Sequence, residues 1–367
     1  MISFVWSSKY PFIAGCGGSE NYTAGHIREL QRRSIVCRII CIGHDIAQSQ
    51  ADFPDITFVK VQSAKDLQEI DDTILFITYP LDIKTKHKSY VILHCPPPTL
   101  SGPDPLFVRD AFRGKKLIAV SGMGAGLWRK YLRFSGGKIS IVYPFAEPAF
   151  SKIQRPAPQS AQSNMRLLFA GRLTPDKGIY TLLAALHMSI LRQQQVTVTV
   201  TDAGKNTHDG RIIGALCQAH PGIQLVAARK SAPSMARLMA QHDAVIMPTT
   251  NIFWRETFGM VSVEAQHAGC RVVASRAGGL PETNCGGLIL TGPDNPLSLA
   301  KGIAKAAMLG PLTTAQRTNA ISKFTVQLSV DSLLRVIGYS PRLLPTLHGA
   351  YLPGVFTRQL VAGKARN

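Results

Sequence analysis

Two successive series of short, almost wholly apolar runs, each run followed by a helical pattern, constrain this chain more than any other feature. The first series is ISFVW, IVCRIICIG, ITFVKV, TILFIT, YVILHC, KLIAVS and ISIVYP, with helical patterns at Ser19–Arg32, Pro105–Arg113 and Met123–Phe134 among them. A strand that is apolar on both sides is buried on both faces, which requires a parallel sheet covered by helices. The segment KIQRPAPQSAQSNM, rich in Pro, Ser and Gln, then interrupts the alternation and reads as a linker. A second series follows: RLLFAG, TVTVTD, IQLVA, AVIMPT, RVVAS and GLILTG. Its helical patterns fall near 178–192, 209–219, 232–241, 260–268, 281–284 and 296–308, with further ones at 313–323 and 326–338. Both series predict doubly wound α/β domains, and 367 residues suit two such cores. The expected division is 1–150, a linker at 151–164, a second domain at 165–325, and a helix with a basic tail at 326–367 packing back toward the first domain. From Ser340 the tail carries four basic and no acidic side chains, and the sequence leaves open whether it is docked or disordered.

In open α/β sheets ligands bind at the carboxyl edge of the strands, so two facing domains make a cleft with two such edges. Four loops point there. In AGCGGSENYTAGHIREL, Gly15, Gly17 and Gly18 precede a helix whose expected N-cap is Ser19. Glycines allow close backbone approach, and a helix N-terminus offers free N–H groups to a phosphate; a plain strand-to-helix turn is the alternative. In FAGRLTPDKG, a strand ends at Gly171, and Arg172 and Lys177 lie five residues apart before a helix starting at Gly178. Two fixed cations there can neutralise a diphosphate, whereas elsewhere they would be ordinary surface charges. In RETFGMVSVEAQHAGC, Gly259 breaks the helical pattern, leaving Glu256 in a loop and Glu264 on the helix, with the N–H groups of Phe258, Gly259 and Met260 uncapped between them. The acids either grip two polyols or are one dipole-favoured acid and one surface acid. In VILHCPPPTL, His94 ends an apolar strand before three prolines; it is either a cleft residue or a structural histidine.

Taken together, GRLTPDKG, ETFGMVSVEAQHAGCRVVASRAGGLPE and GGSEN resemble the retaining, nucleotide-sugar-dependent glycosyltransferases of family 4, which have the GT-B fold. The likeness runs to about Tyr339 and is strongest from Leu167 to Leu299. It implies two facing Rossmann-like domains with a central cleft, the first for the acceptor and the second for the donor. It further implies that Glu264 binds the ribose and Glu256 the donor sugar. The amides of Phe258, Gly259 and Met260 would contact sugar and phosphate. Arg172 and Lys177, after Gly171, would hold the diphosphate, Gly17 and Gly18 would approach it from the other domain, and His94 would lie beside the reacting carbon. The chain departs from the pattern at Tyr143-Pro144-Phe145, where Asn-Gly is frequent, at Asp202-Ala203-Gly204, where Gly-x-Gly is usual, and at Thr249, where serine is usual.

Composition narrows the alternatives. Transferases that use Mg²⁺ or Mn²⁺ hold it with Asp-x-Asp, which is absent from the sequence, so no metal and no cofactor beyond the nucleotide-sugar co-substrate is expected. Seven cysteines, an odd number without metal-finger spacing, suit a reduced cytoplasmic protein. The opening MISFVWSSKYPF lacks the basic start and long apolar run of a signal peptide, and no stretch is long enough to span a bilayer. The net charge of +19 divides into +7 up to Arg155 and +12 beyond, so it is not one nucleic-acid tail. The aromatic residues do not interleave with the basic clusters as a stacking platform requires, so no nucleic-acid partner is expected. KTKHK and LWRKYLR (Lys84, Lys86, Lys88; Trp128, Arg129, Lys130, Arg133) concentrate cations in the first domain. In the second, Leu127, Tyr131 and Phe134 share one helical side, which is either a core face or an interfacial face resting on anionic lipid at the inner side of a membrane. The expected partners are therefore a nucleotide-sugar donor and an acceptor sugar, glycolipid or small molecule, with an anionic membrane surface left open. The expected activity is that of a hexosyltransferase in envelope polysaccharide or glycolipid assembly. A transferase for a soluble acceptor and a nucleotide-sugar epimerase remain as alternatives.

Overall fold

The structure is a computed structural model that describes residues 1–339, save 9, 16, 44, 99–104, 134–137, 157–163, 193 and 252–255. The basic tail expected at 340–367 lies outside the described residues, as do residues 157–163 of the linker and Phe134. Every one of the apolar runs forms a strand. Strands β1 (Ile2–Trp6), β2 (Cys37–Ile42), β3 (Phe58–Val61), β4 (Thr73–Ile77), β5 (Tyr90–Leu93), β6 (Lys116–Ala119) and β7 (Ser140–Ile141) make a parallel sheet in the order β3-β2-β1-β4-β5-β6-β7. Strands β8 (Met165–Phe169), β9 (Val196–Thr201), β10 (Ile223–Val226), β11 (Ala244–Met247), β12 (Arg271–Ser275) and β13 (Leu288–Thr291) make a second parallel sheet in the order β10-β9-β8-β11-β12-β13.

Helices cover both faces of each sheet. In the first domain they are α1 (Gly18–Arg32), α2 (Ala47–Asp52), α3 (Pro105–Phe112), α4 (Gly122–Leu132) and α5 (Pro148–Lys152). In the second they are α6 (Ile179–Leu186), α7 (Ser189–Arg192), α8 (His208–Ala219), α9 (Ala232–Ala240), α10 (Met260–His267), α11 (Pro296–Leu309), α12 (Thr314–Ile321) and α13 (Val326–Ile337). Alternation along β1 explains its composition: Phe4 packs in a cluster with Ile27 and Leu30 of α1, while Val5 packs in another with Trp128 and Leu132 of α4. The core face of α4 is thus Ala125, Trp128 and Leu132, while Leu127 and Tyr131 of the side read from the sequence are only half-buried. Trp128 is fully buried and its Nε1 donates to the Cys95 carbonyl at 2.8 Å, while Arg129, Lys130 and Arg133 are exposed. Lys84, Lys86 and Lys88 are exposed as well. Among the described residues no helix is long and apolar enough to cross a membrane.

The two sheets share one apolar cluster, which runs from Phe145 and Phe150 through Phe258 to Val326, Val330 and Leu333. Helix α13 packs on the first domain: Arg33, the residue after α1, forms an ion pair with Asp331, and the Tyr90 hydroxyl donates to the Ile337 carbonyl at 3.1 Å. Arg317 of α12 donates to the carbonyls of Phe150, Ser151 and Ile153 at 3.3, 3.0 and 2.6 Å, tying the crossover segment to the second domain.

Three local expectations are corrected. Helix α1 begins at Gly18 and its N-cap is Gly17, in extended conformation, because the Ser19 hydroxyl donates to the neighbouring Glu20 carboxylate at 2.6 Å instead of capping. The helix expected over 178–192 is two helices, separated at His187–Met188. Helices α2 and α5, of six and five residues, were not anticipated because they are too short to display a helical period.

Removal of the α4 anchor tests the core assignment. Trp128→Ala should cost about 3–5 kcal/mol, the range for emptying a fully buried large aromatic site, read as a lowered denaturant midpoint. A change below about 1 kcal/mol would place that side of α4 outside the core.

Candidate functional site

In each sheet the strand order reverses beside the first strand, at β1/β4 and at β8/β11. These are the positions where a doubly wound sheet opens a crevice at its carboxyl edge. The loops leaving β1, β8 and β11 carry Gly17 and Gly18, then Gly171, Arg172 and Lys177, then Glu256, Phe258 and Gly259. His94 directly follows β5. The carboxyl edges of the two sheets face each other, since a Cβ built on Gly18 would lie 3.4 Å from Sδ of Met260 in the other domain.

Lys177 and Glu256, 79 residues apart in sequence, form an ion pair at 2.6 Å, both half-buried. The turn Pro175–Lys177 ends at Gly178, whose φ of +76° and Cβ position, 1.8 Å from the Pro248 carbonyl oxygen, admit only glycine. That contact and the Thr250 amide, which donates to the Asp176 carbonyl at 2.9 Å, hold the β8 loop against the β11 loop. Arg172 is exposed and has no ion-pair partner among the described residues. It lies close enough to the Cys95 thiol to lower its pKa, against Glu20 and Glu256, which raise it, while burial, the largest influence, takes it up to about 11. The charges of Arg172, Glu20 and Glu256 therefore all act on Cys95, the residue after His94.

Gly259 starts α10 with φ +95°, and the amides of Phe258, Gly259 and Met260 make no hydrogen bond among the described residues. Glu264 sits in the second turn of α10, 8% exposed, and its carboxyl accepts no hydrogen bond among the described residues. Burial, reinforced by the Glu147 charge, pushes it up to about 8. His94 shows the opposite response of a base: burial, then the His26 ring nearby, lowers it to about 3, so the imidazole is neutral at physiological pH. Its Nε2 is enclosed without a hydrogen-bond partner among the described residues, its ring meets Tyr22 edge-on at 4.8 Å, and its carbonyl accepts from the Thr257 hydroxyl at 2.6 Å.

Ten of the eleven residues singled out from the sequence lie on loops, strand ends or helix starts at the carboxyl edges of the two sheets, and Glu264 lies one turn into α10. Three others were missed. Glu20, buried, carries an oxygen 3.0 Å from where a Cβ on Gly17 would be, so a carboxylate stands at the α1 N-terminus beside the loop read as a phosphate contact. Its signal was the E of GGSEN. Gly278 and Gly279 pass so close to the Glu256 loop that their Cβ atoms would fall 2.0 and 2.2 Å from the carbonyl oxygens of Glu256 and Thr257. The Gly279 amide donates to the Glu256 carbonyl at 2.7 Å. Their signal was the G-G of GGLPE. The unusual Asp202-Ala203-Gly204 has a local role: the Ala203 carbonyl accepts from the Leu173 amide at 2.7 Å, and Asp202 accepts from the Ala228 amide at 2.7 Å while pairing with Lys205.

Two parallel α/β sheets whose carboxyl edges meet at such a cleft are the GT-B architecture of glycosyltransferases. A glycosyltransferase from Rickettsia africae superposes with a TM-score of 0.71 at 18% identity, over 92% of this chain and 97% of its own. Residues 164–308 match the family described as glycosyl transferases group 1. A D-inositol 3-phosphate glycosyltransferase from Arthrobacter sp. is 32% identical over 143 residues, covering 36% of this chain and 31% of the relative. A lipopolysaccharide 1,2-N-acetylglucosaminetransferase from Salmonella typhimurium is 34% identical over 123 residues, covering 32% and 31%. The chain thus aligns with about a third of the length of these curated relatives.

The raised Glu264 has a measurable consequence. Unfolded, the carboxyl loses its proton near pH 4.5; folded, it keeps it to about 8. The native state binds the extra proton in that window, so this group's contribution to stability falls as pH rises from about 4.5 to 8. Glu264→Gln should raise Tm at pH 8 by about 2–4 °C or more and leave it nearly unchanged at pH 4.5. Parallel curves for the two proteins would contradict the burial of an unpaired carboxyl.

Proposed function

We propose that the chain is a retaining hexosyltransferase that moves a sugar from a nucleotide diphosphate sugar to an acceptor. The observation that carries this reading is the Lys177–Glu256 pair, which joins the cation expected on the diphosphate to the acid expected on the donor sugar. In the ligand-free state each satisfies the other. With donor bound, Lys177 turns to the β-phosphate together with Arg172, and Glu256 accepts from sugar hydroxyls. Glu264 accepts from the ribose hydroxyls, the free amides of Phe258, Gly259 and Met260 donate to sugar and phosphate, and Gly17 and Gly18 let the opposite loop approach. The neutral His94 offers its unpartnered Nε2 to the donor sugar near its anomeric carbon.

The bond from the anomeric carbon to the phosphate oxygen breaks as the acceptor oxygen bonds to that carbon on the same face. The acceptor proton passes to the departing β-phosphate, so no separate base is required. Negative charge grows on the diphosphate, and its stabilisation is the largest catalytic demand. Arg172 and Lys177 meet that demand in this reading, and transfer is metal-independent; activity lost with EDTA would overturn this. Envelope glycolipid or polysaccharide is the favoured acceptor, supported by the Salmonella relative and by the exposed cations of the first domain, which suit the inner face of an anionic membrane. A soluble phosphorylated polyol is the second reading, favoured by the Arthrobacter relative. Flotation with anionic vesicles at low salt separates the two.

Lys177→Ala should lower turnover by about 10²-fold or more at an unchanged melting temperature, measured as nucleoside diphosphate released in a donor screen. Near-normal turnover would remove Lys177 from the diphosphate site. Ribose hydroxyls donating to Glu264 would stabilise its carboxylate, so binding of the correct nucleoside diphosphate at pH 7 should release a proton. Calorimetry in buffers of different ionisation enthalpy reads this, and Glu264→Gln should abolish it.

A further inference from the structure

Near His94, the two domains make a contact that none of the roles above uses. Glu282 ends the GGLPE segment in the second domain. Its two carboxylate oxygens accept from the amides of Gly122 and Met123, the first residues of α4 in the first domain, each at 2.8 Å. The Tyr143 hydroxyl donates to the same carboxylate at 3.0 Å. Three donors from one domain thus converge on one acid of the other, and the acid stands at the positive end of α4. Gly122 is suited to this contact, because a Cβ there would lie 3.3 Å from the Glu282 oxygen.

Tyr143 carries the contact further. Its ring packs on Phe258 at 5.8 Å and on Phe324 at 5.5 Å, and its carbonyl accepts from the Ser329 hydroxyl of α13 at 2.6 Å. Phe258 belongs to the loop that carries Glu256. The same loop is bound to the first domain next door, where the Ser121 hydroxyl donates to the Thr257 carbonyl and the Thr257 hydroxyl to the His94 carbonyl. Tyr143 is also the position at which this chain departs from the frequent Asn-Gly, so the contact belongs to this sequence's own hinge.

We propose that Glu282 and Tyr143 form an interdomain latch that holds the Glu256–Phe258 loop in register with His94 and so positions the cleft for donor. They are positioning residues, acting through α4 and Phe258 rather than on substrate. The inference rests on the reading above only for its kinetic consequence; the contact itself is independent of which ligand binds.

The test uses the full chain, Glu282→Ala, Glu282→Gln and Tyr143→Phe. Amide hydrogen exchange at Gly122 and Met123 should quicken by about tenfold or more in Glu282→Ala, as for loss of a helix cap, and by less in Glu282→Gln, which keeps one acceptor. Small-angle scattering should show a larger radius of gyration for Glu282→Ala. Unchanged exchange and an unchanged radius overturn the latch, whether or not the chain transfers sugar. With the donor found by the screen, a latch predicts a donor KM raised by about tenfold at a kcat within about twofold, because only the fraction of molecules in the competent arrangement binds. Tyr143→Phe should shift KM in the same direction by a smaller factor. A lowered kcat at unchanged KM would mark loss of folded protein and would count against the latch.

Discussion

The site depends on one steric constraint, the close passage of Gly278 and Gly279 beneath the Glu256 loop. Any side chain at either position would overlap a carbonyl oxygen of Glu256 or Thr257. Because both lack one, the Gly279 amide reaches the Glu256 carbonyl, and the loop is fixed from below. That fixed backbone aims the Glu256 carboxylate at Lys177 and leaves the amides of Phe258 and Gly259 free at the start of α10. Gly178 does the same for the opposite loop, where contact with the Pro248 carbonyl sets the turn that carries Lys177. The charged groups are therefore placed by backbone-on-backbone contacts, which tolerate less movement than long side chains would.

The two acids of the E-x7-E segment have different electrostatic surroundings. Glu256 has a cation at 2.6 Å, which offsets its desolvation. Glu264 is more deeply buried, feels the Glu147 charge and has no ion-pair or hydrogen-bond partner among the described residues, which is why it holds its proton toward pH 8. A carboxyl left in this state is unsatisfied until hydroxyl donors arrive. His94 is unsatisfied in the complementary way, as a neutral ring with a buried Nε2. The cleft thus keeps polar groups that cost stability on both of its sides, an arrangement that a ligand with many hydroxyls would relieve.

Much of this was legible in the sequence because parallel strands covered by helices read as short, mostly apolar runs, and each of the thirteen runs singled out forms a strand, even where a polar residue interrupts it, as in β3 and β9. Sheet order was not legible, since apolar runs do not encode their neighbours. Residues such as Lys177, Glu256 and Glu264 were legible because local motifs place them. Glu20 and the Gly278–Gly279 pair were visible only as letters within those motifs, since their action is a close approach that spacing does not express. Glu282 and Tyr143 were illegible as a pair because they are 139 residues apart and belong to different domains. The Ser19 cap failed for a local reason: the adjacent Glu20 takes its hydroxyl hydrogen.

The shared apolar cluster explains how a two-domain cleft keeps its register before any ligand binds. Phe145, Phe258 and Val330 lie in one continuous core, with Phe324 packed against it, although they come from the first domain's end, the Glu256 loop, α13 and the segment before α13. Apolar contact of this kind is non-directional and would let the domains slide. Directional bonds are what remove that freedom: Arg317 on three carbonyls of the crossover, Ser329 on the Tyr143 carbonyl, and Glu282 on the α4 amides. The first two lie at the hinge and fix where the domains turn. The third, with the Ser121 and Thr257 hydroxyl contacts beside it, joins the start of α4 and the end of β5 directly to the loops of the second domain, so it fixes the register of the two facing edges.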